Sequence, residues 1–235
     1  GLSALRLAAE AQPDIILLDV MMPGLDGYET CRRLKADAAT RHIPVVLVTA
    51  LDGRDERIRG LEAGADDFIT KPIDDVMLMA RVKSLVRLKN VMDELREREE
   101  SGRRLGVDTD AAGRLKASGG RILIIDDDAR QAARLSEHLS REHRPLVEAD
   151  PDVARTLAAG GFDLAIVNVE SQGFDGLRMV ANLRSSPATR RLPILGVVET
   201  AERQRLVKAL ELGASDILAR PVDAEELAAR VRTQV

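Results

Sequence analysis

The amino-acid sequence predicts an α/β protein built from two doubly wound parallel sheets that follow one another along the chain. Three observations carry this expectation. Short, wholly aliphatic runs such as Ile15-Ile16-Leu17-Leu18 and Val45-Val46-Leu47-Val48 read as strands buried on both faces, the pattern of a parallel sheet covered by helices. Helical patterns alternate with these runs, as successive βα units require. The chain also repeats itself: a shift of 149 positions carries Asp19 to Asn168, Gly27 to Gly176, Leu34 to Leu183, Asp67 to Asp216 and Pro72 to Pro221 without a gap.

In the first copy, the run from Ile15 to Leu18 ends in Asp19, at the carboxyl end of a strand, where open α/β sheets place their ligand sites. Pro23-Gly24 and Asp26-Gly27 are strong turn signals, so the chain leaves the sheet directly past the acid. Taken alone, such an Asp reads equally well as the cap of a turn or of the next helix. Its company changes the reading. The second run ends in Thr49-Ala50, and a third, Asp67-Phe68-Ile69-Thr70, ends in Lys71-Pro72. Parallel strands ending in Asp, Thr and Lys converge a nucleophile, a hydroxyl and a cation. From Asp75 a long helical pattern follows. Leu85, Leu88, Met92 and Leu95 form a short heptad seam, and Glu94–Arg98, Glu99–Arg103 and Glu100–Arg104 are favourable i,i+4 pairs. The seam is shorter than a coiled coil needs, so a solvated linker helix is expected, with a dimer or inter-module contact as the sharper alternative. Residues 101–118 turn to Gly, Ala, Asp and Arg and read as a linker between a first domain, 1–100, and a second, 119–235.

The second copy shows the whole architecture. A strand from Arg121 to Ile125 ends in Asp126-Asp127-Asp128, and a helix follows through Leu135 and Leu139 to a short strand at Leu146-Val147. Asp150-Pro151 starts a helix that Gly160-Gly161 stops. A strand from Leu164 to Val169, a helix bearing Leu177, Val180 and Leu183, and a strand from Ile194 to Val198 come next. Thr200 is expected to cap a helix closed by Gly213; Ile217-Leu218 is the last strand, and Asp223 with Glu226 reads as the capping box of a last helix carrying Leu227 and Val231. Five βα units of this kind give the flavodoxin-like order. Because Gly1 falls on Asp150, residues 121–149 have no counterpart in the first copy, which is expected to lack its first strand, first helix and second strand, an amino-terminal piece.

Composition narrows the function. A net charge of −4 with 31% charged residues gives no electrostatic reason to expect nucleic-acid binding. The sequence has no apolar run of about 18 residues and no secretory pattern, so a cytoplasmic protein without a membrane span is expected. The single cysteine, Cys31, excludes an internal disulfide framework, and with aromatic residues at 2% the cores must be aliphatic.

The stretch from Leu17-Leu18-Asp19-Val20-Met21-Met22-Pro23-Gly24-Leu25-Asp26-Gly27 through Val48-Thr49-Ala50 to Lys71-Pro72 resembles the CheY-like receiver domains of bacterial two-component response regulators. The resemblance implies a phosphoryl acceptor at Asp19, a paired cation at Lys71, a phosphate-binding hydroxyl at Thr49 and a switch aromatic at Phe68. An ordinary core aromatic is the alternative for Phe68. It also implies Mg²⁺, held by Asp19, the Met21 carbonyl and a first-strand acid pair that the first copy lacks, and a histidine kinase or phosphotransfer protein as the donor. The second copy keeps Asp126 and Asp127 but has Asn168, Val198 and Arg220 where the first has Asp19, Thr49 and Lys71. An amide is too poor a nucleophile to take the phosphoryl group, so this copy reads as a degenerate receiver kept as an adaptor.

The tandem order, with Leu51-Asp52-Gly53 and Lys71-Pro72-Ile73-Asp74-Asp75, resembles the regulatory half of PleD-type diguanylate cyclases. That likeness implies a homodimer, a GGDEF effector domain in the parent protein and control of cyclic di-GMP synthesis; it also points to Arg114 and Arg144 as contacts for that nucleotide, although solvated arginine is the plainer reading of both. No GGDEF stretch is present, so the chain itself is expected not to be an enzyme. A flavodoxin is disfavoured because Asp126-Asp127-Asp128 repels phosphate, and a haloacid-dehalogenase-type hydrolase because Met21 stands where its second acid belongs. The remaining competitor is an interaction scaffold that works without phosphorylation.

Overall fold

All-aliphatic strands have no polar face to turn to solvent, and in the computed structural model they pair in parallel beneath helices. It describes residues 1–50, 53–104, 119–199 and 203–235, with the backbone alone at 54, 88, 91–104 and 203. The elements in order are α1 (Leu2–Ala11), β1 (Ile16–Asp19), α2 (Gly27–Ala36), β2 (Val45–Thr49), α3 (Arg54–Glu62), β3 (Asp67–Thr70) and α4 (Asp75–Arg104). Then come β4 (Arg121–Ile125), α5 (Ala129–Leu139), β5 (Arg144–Glu148), α6 (Pro151–Ala158), β6 (Leu164–Asn168), α7 (Gly176–Ser185), β7 (Ile194–Glu199), α8 (Arg203–Leu212), β8 (Asp216–Arg220) and α9 (Ala224–Gln234).

The first sheet has the order β1-β2-β3, with Asp19 opposite Val48 and Thr49 opposite Thr70. Its faces are filled separately. Val45 and Leu47 pack with Leu18, Cys31 and Leu34, while Val46 packs with Ile69 and Leu85. Each fully buried aliphatic side chain stabilises the fold by about 1.5–3 kcal/mol. The second sheet is five-stranded, β5-β4-β6-β7-β8. There β4 lies against β6, and Ile166 is 1% exposed; its counterpart Leu17, on the outer strand β1, is 48% exposed. The parallel, doubly wound architecture expected from the aliphatic runs is therefore present in both sheets.

Local chemistry sets the helix ends. Asp26, Asp128, Asp150 and Asp175 each accept a hydrogen bond from a first-turn amide, and Pro151 follows its cap, where no partner for a backbone N–H is needed. The expected cap Thr200 lies outside the described residues. Helix α4 runs for 30 residues, to Arg104, beyond residue 101, where the sequence reads as linker. Once a helix is nucleated, each added residue gains a hydrogen bond, so it continues until a strong stop. Leu85 is buried, while the side chains of Leu88, Met92 and Leu95 and of the pairs Glu94–Arg98, Glu99–Arg103 and Glu100–Arg104 lie outside the described residues.

Two compact units result, Gly1–Asn90 with Glu225–Thr233, and Val91–Ala224 with Gln234–Val235. Most of α9 groups with the first unit. A buried carboxylate explains part of this. Asp67, 3% exposed, pairs with Arg81 and with Arg230 of α9, the latter at 3.5 Å, and the Arg230 guanidinium lies 5.4 Å from the Phe68 ring centroid. A charge buried this deeply is stable only when paired.

Gly176 opens α7 hard against β6: an added Cβ would lie 2.3 Å from the Asn168 carbonyl oxygen. Gly176→Ala is expected to cost on the order of 1–3 kcal/mol, read as a fall in the urea midpoint, because backbone cannot give way cheaply. Cys31 is buried, and burial pushes its thiol pKa up to about 12. It should resist maleimide at neutral pH in the folded protein and react once the chain is denatured.

Candidate functional site

The site of the first unit is assembled where β1, β2 and β3 end side by side. The amide of Val20 donates to Val48, and that of Lys71 to Thr49, which ties the three strand ends together. Asp26 caps α2, and Gly27 lets that helix begin in contact with β1, since a Cβ there would meet the Asp19 carbonyl oxygen at 2.5 Å. The chain therefore turns away immediately past Asp19 and leaves its carboxylate open to solvent.

Asp19 and Lys71, far apart in sequence, meet: Nζ lies 2.7 Å from Oδ2, while the Met21 amide donates to Oδ1 at 3.1 Å. The Lys71 hydrogen bond first, and the Met21 amide next, hold the Asp19 carboxyl below its ordinary value. The carboxylate is consequently ionised throughout the neutral range. Both side chains are about 40% exposed (42% and 39%), and an ion pair so open to water adds little stability, so its value is chemical rather than structural. Thr49 ends the neighbouring strand with its side chain buried. Phe68 is half-buried against the core cluster, and the Arg57 guanidinium stands 5.6 Å from its ring, so it is both a core contact and a cation–π partner. Met21 is 71% exposed.

For a metal, this site supplies one carboxylate, already engaged by two donors, and the carbonyl of Met21. Among the described residues no group of three or more His, Cys, Asp or Glu side chains is placed to hold an ion. Mg²⁺ is usually held by one or two carboxylates with waters and phosphate oxygens, and these residues do not make such a site by themselves.

The second unit carries the same geometry with other groups. Asp126 is buried at the end of β4 and accepts from Asn168 Nδ2 at 2.7 Å and from the Asp128 amide at 3.0 Å. Asp127 accepts from the amides of Gln172 and Gly173. Val198, the counterpart of Thr49, is fully buried, and no hydroxyl faces the pocket at that position. Burial pushes the Asp126 carboxyl up, against the donors around it. For Asp127 burial also works upward, but hydrogen bonds led by that from Ser171 outweigh it and the carboxyl is lowered. Arg220, which replaces Lys71, does not stop at residue 168: it reaches Asp126 Oδ2 and Glu199 Oε1, each at 3.4 Å. Both Lys71-Pro72 and Arg220-Pro221 are cis peptides.

Two acids in this pocket escaped the sequence reading. Glu199 and Glu170 replace Ala50 and Met21 under the same shift of 149, and the Glu199 amide donates to Glu170 Oε2. Scanning the repeat for gained charges as well as lost groups would have found them. Arg144 opens β5 with an exposed side chain, and Arg114 lies outside the described residues.

With this geometry in view, the family comparison is decisive. The model of the response regulator receiver domain matches residues 1–83 and again 122–232. The chain belongs to the response-regulator receiver family. Both receivers lie within a stretch that is 61% identical over all 235 residues to the response regulator PleD of Caulobacter vibrioides, of which it covers 52%. A stretch of 85 residues, 36% of this chain, is 48% identical to the phosphate regulon transcriptional regulatory protein PhoB of Escherichia coli, of which it covers 37%. The chain spans about half the length of the curated relative it matches end to end, 52%. In fold, the chemotaxis response regulator CheY4 of Vibrio cholerae aligns with a TM-score of 0.46 at 21% identity, over 50% of this chain and 99% of that one. Among the described residues no helix is long and apolar enough to cross a membrane.

Replacing Lys71 by Met should return the Asp19 titration, followed by carboxyl ¹³C NMR, upward toward the ordinary carboxylate value. The sign follows from linkage. A carboxyl lowered in the folded state contributes stability that is present above its unfolded value and lost as pH falls through the folded one. Lys71→Met should therefore flatten the acid limb of the stability profile by lowering its neutral plateau slightly, a small loss because the pair is open to water, and leave stability at the acid end unchanged.

Proposed function

We propose that this chain is the regulatory region of a two-component phosphorelay protein, whose first receiver accepts a phosphoryl group on Asp19. The observation that supports the reading most directly is the Lys71–Asp19 contact across two strand ends, an ionised carboxylate displayed at a sheet mouth beside a fixed cation. Phosphoryl transfer asks a protein mainly for positioning and charge neutralisation, and these groups provide both. An Asp19 carboxylate oxygen attacks phosphorus in the phosphohistidine of a histidine kinase or phosphotransfer protein. The phosphorus–nitrogen bond breaks, the imidazole departs with its electron pair and takes up a proton, and an acyl phosphate remains. Lys71 offsets the negative charge gathered on the phosphoryl oxygens, and Thr49 donates its hydroxyl to one of them. Phe68, next to the strand end that carries Lys71, would report the change to the surface. In intact receivers Mg²⁺ supplies further positive charge, but the residues described here do not complete its site, so no step is assigned to it.

The second receiver cannot undergo this reaction, because Asn168, Val198 and Arg220 replace all three working groups. It serves as a dimerisation adaptor for an output domain of the diguanylate cyclase kind in the parent protein, which places the chain in cyclic di-GMP signalling in the cytoplasm. Arg144, and Arg114 outside the described residues, are the candidate contacts for the nucleotide.

The test uses the full-length protein and a ³²P-phosphohistidine donor. Label should appear as an acid-stable, hydroxylamine-labile acyl phosphate. Asp19→Asn should abolish it, and Thr49→Ala should keep the label while losing a phosphorylation-dependent shift from monomer to dimer in light scattering. Unchanged labelling in Asp19→Asn would sink the assignment. Dimerisation indifferent to phosphorylation would favour a scaffold.

A further inference from the structure

The cleft of the second receiver, about 730 Å³, is lined by Asp127, Asp128, Asn168, Glu170, Glu199 and Arg220. Its carboxylates invite the reading that it still takes a divalent cation although the acceptor is gone. The hydrogen bonds argue otherwise. Both oxygens of Asp126 are engaged, Oδ1 by Asn168 and the Asp128 amide and Oδ2 by Arg220. Asp127 Oδ2 is held by two loop amides, and Asp128 accepts through both oxygens from Arg130 and Gln131 as the cap of α5. The side-chain oxygen of Asn168 accepts from the Glu170 amide. A metal ion needs several bare oxygen lone pairs pointing at a common centre. Those of Asp126, Asp128 and Asn168 and Oδ2 of Asp127 already point at N–H groups, and Glu170 Oε1, buried without a partner, is a single ligand rather than a set.

Comparison of the two cations gives the reason. Lys71 has a compact ammonium that stops at the residue on the adjacent acceptor position, Asp19. Arg220 carries a longer, forked group at the same place in the repeat; its two terminal nitrogens reach past that position to Asp126 on one side and Glu199 on the other. Its side chain is 11% exposed and that of Asp126 1% exposed, so the pair is screened little by solvent. Glu199, absent from the first copy, supplies the second acid for the fork.

We infer that the Arg220 guanidinium is the resident cation of the second receiver, standing where a divalent metal would neutralise Asp126 and closing the pocket to Mg²⁺. The second receiver is then held in one arrangement whatever the metal concentration or the phosphorylation state of the cell. This deepens the reading of that module as a retired copy and rests on it.

The test is Mg²⁺ titration of the isotope-labelled full chain, followed at the amides of Asp126, Asp127, Asp128, Asn168, Glu170 and Gly173. The native protein should show no saturable shift at these amides. Arg220→Lys keeps the charge but shortens the reach, so it should free Asp126 and bind Mg²⁺ at least ~10-fold more tightly than the native chain, the size of effect that groups around a metal site have on its affinity. Saturable binding by the native protein at these amides overturns the inference. So does an Arg220→Lys protein with a native-like spectrum that still ignores Mg²⁺, because another group would then be closing the pocket. All readings come from the second unit, so they can fail while labelling of Asp19 succeeds, and the reverse.

Discussion

A carboxylate at the mouth of a parallel sheet must be answered by positive charge, and both halves of this molecule are organised around that requirement. The backbone places the acid: an aliphatic strand with no polar alternative is buried, and its first polar residue emerges at the carboxyl end. Another strand of the same sheet places the cation, two positions across in the first unit, where Lys71 meets Asp19. Charge that is buried or half-buried is tolerated only with such a partner. What the partner is, and how far it reaches, determines what the pocket can do.

The first unit leaves its pair half-exposed and easily broken. Such a pair contributes little to folding, so its members can exchange their contacts at small cost to stability. The second unit has the opposite character. Asp126 is nearly inaccessible, and Asn168 and Arg220 saturate it. Removing one partner from a buried pair of this kind costs about 3–5 kcal/mol, so the arrangement is fixed by stability. One fold thus carries a half-exposed ion pair in one unit and a buried one in the other, through substitutions confined to strand ends and the residues beside them.

A second charged centre lies on β3 of the first unit. Asp67 is buried beside Phe68 and is paired with Arg81 and Arg230, and Arg230 also lies over the Phe68 ring. The backbone between Asp67 and Lys71 is a single short strand, β3. Arg230 belongs to α9, which links the end of the chain to the strand that carries the candidate switch aromatic.

The parallel sheets, the order of the elements and the positions of Asp19, Thr49 and Lys71 were legible in the sequence because they depend on local pattern: aliphatic runs, turn residues and an ungapped repeat. The replacement of Asp19, Thr49 and Lys71 by Asn168, Val198 and Arg220 in the second copy was legible for the same reason. Tertiary structure alone decided where the long side chains go. Nothing in the spacing of Arg220 indicates that it passes residue 168 to reach Asp126, since the reach of a flexible side chain depends on which acids the fold brings within range. Likewise nothing in the spacing of Arg230 indicates that it pairs with Asp67, a buried carboxylate far away in sequence. Periodicity and turn chemistry act over a few residues and are written in the chain, whereas pairing between buried charges is settled only when the strands are already in register.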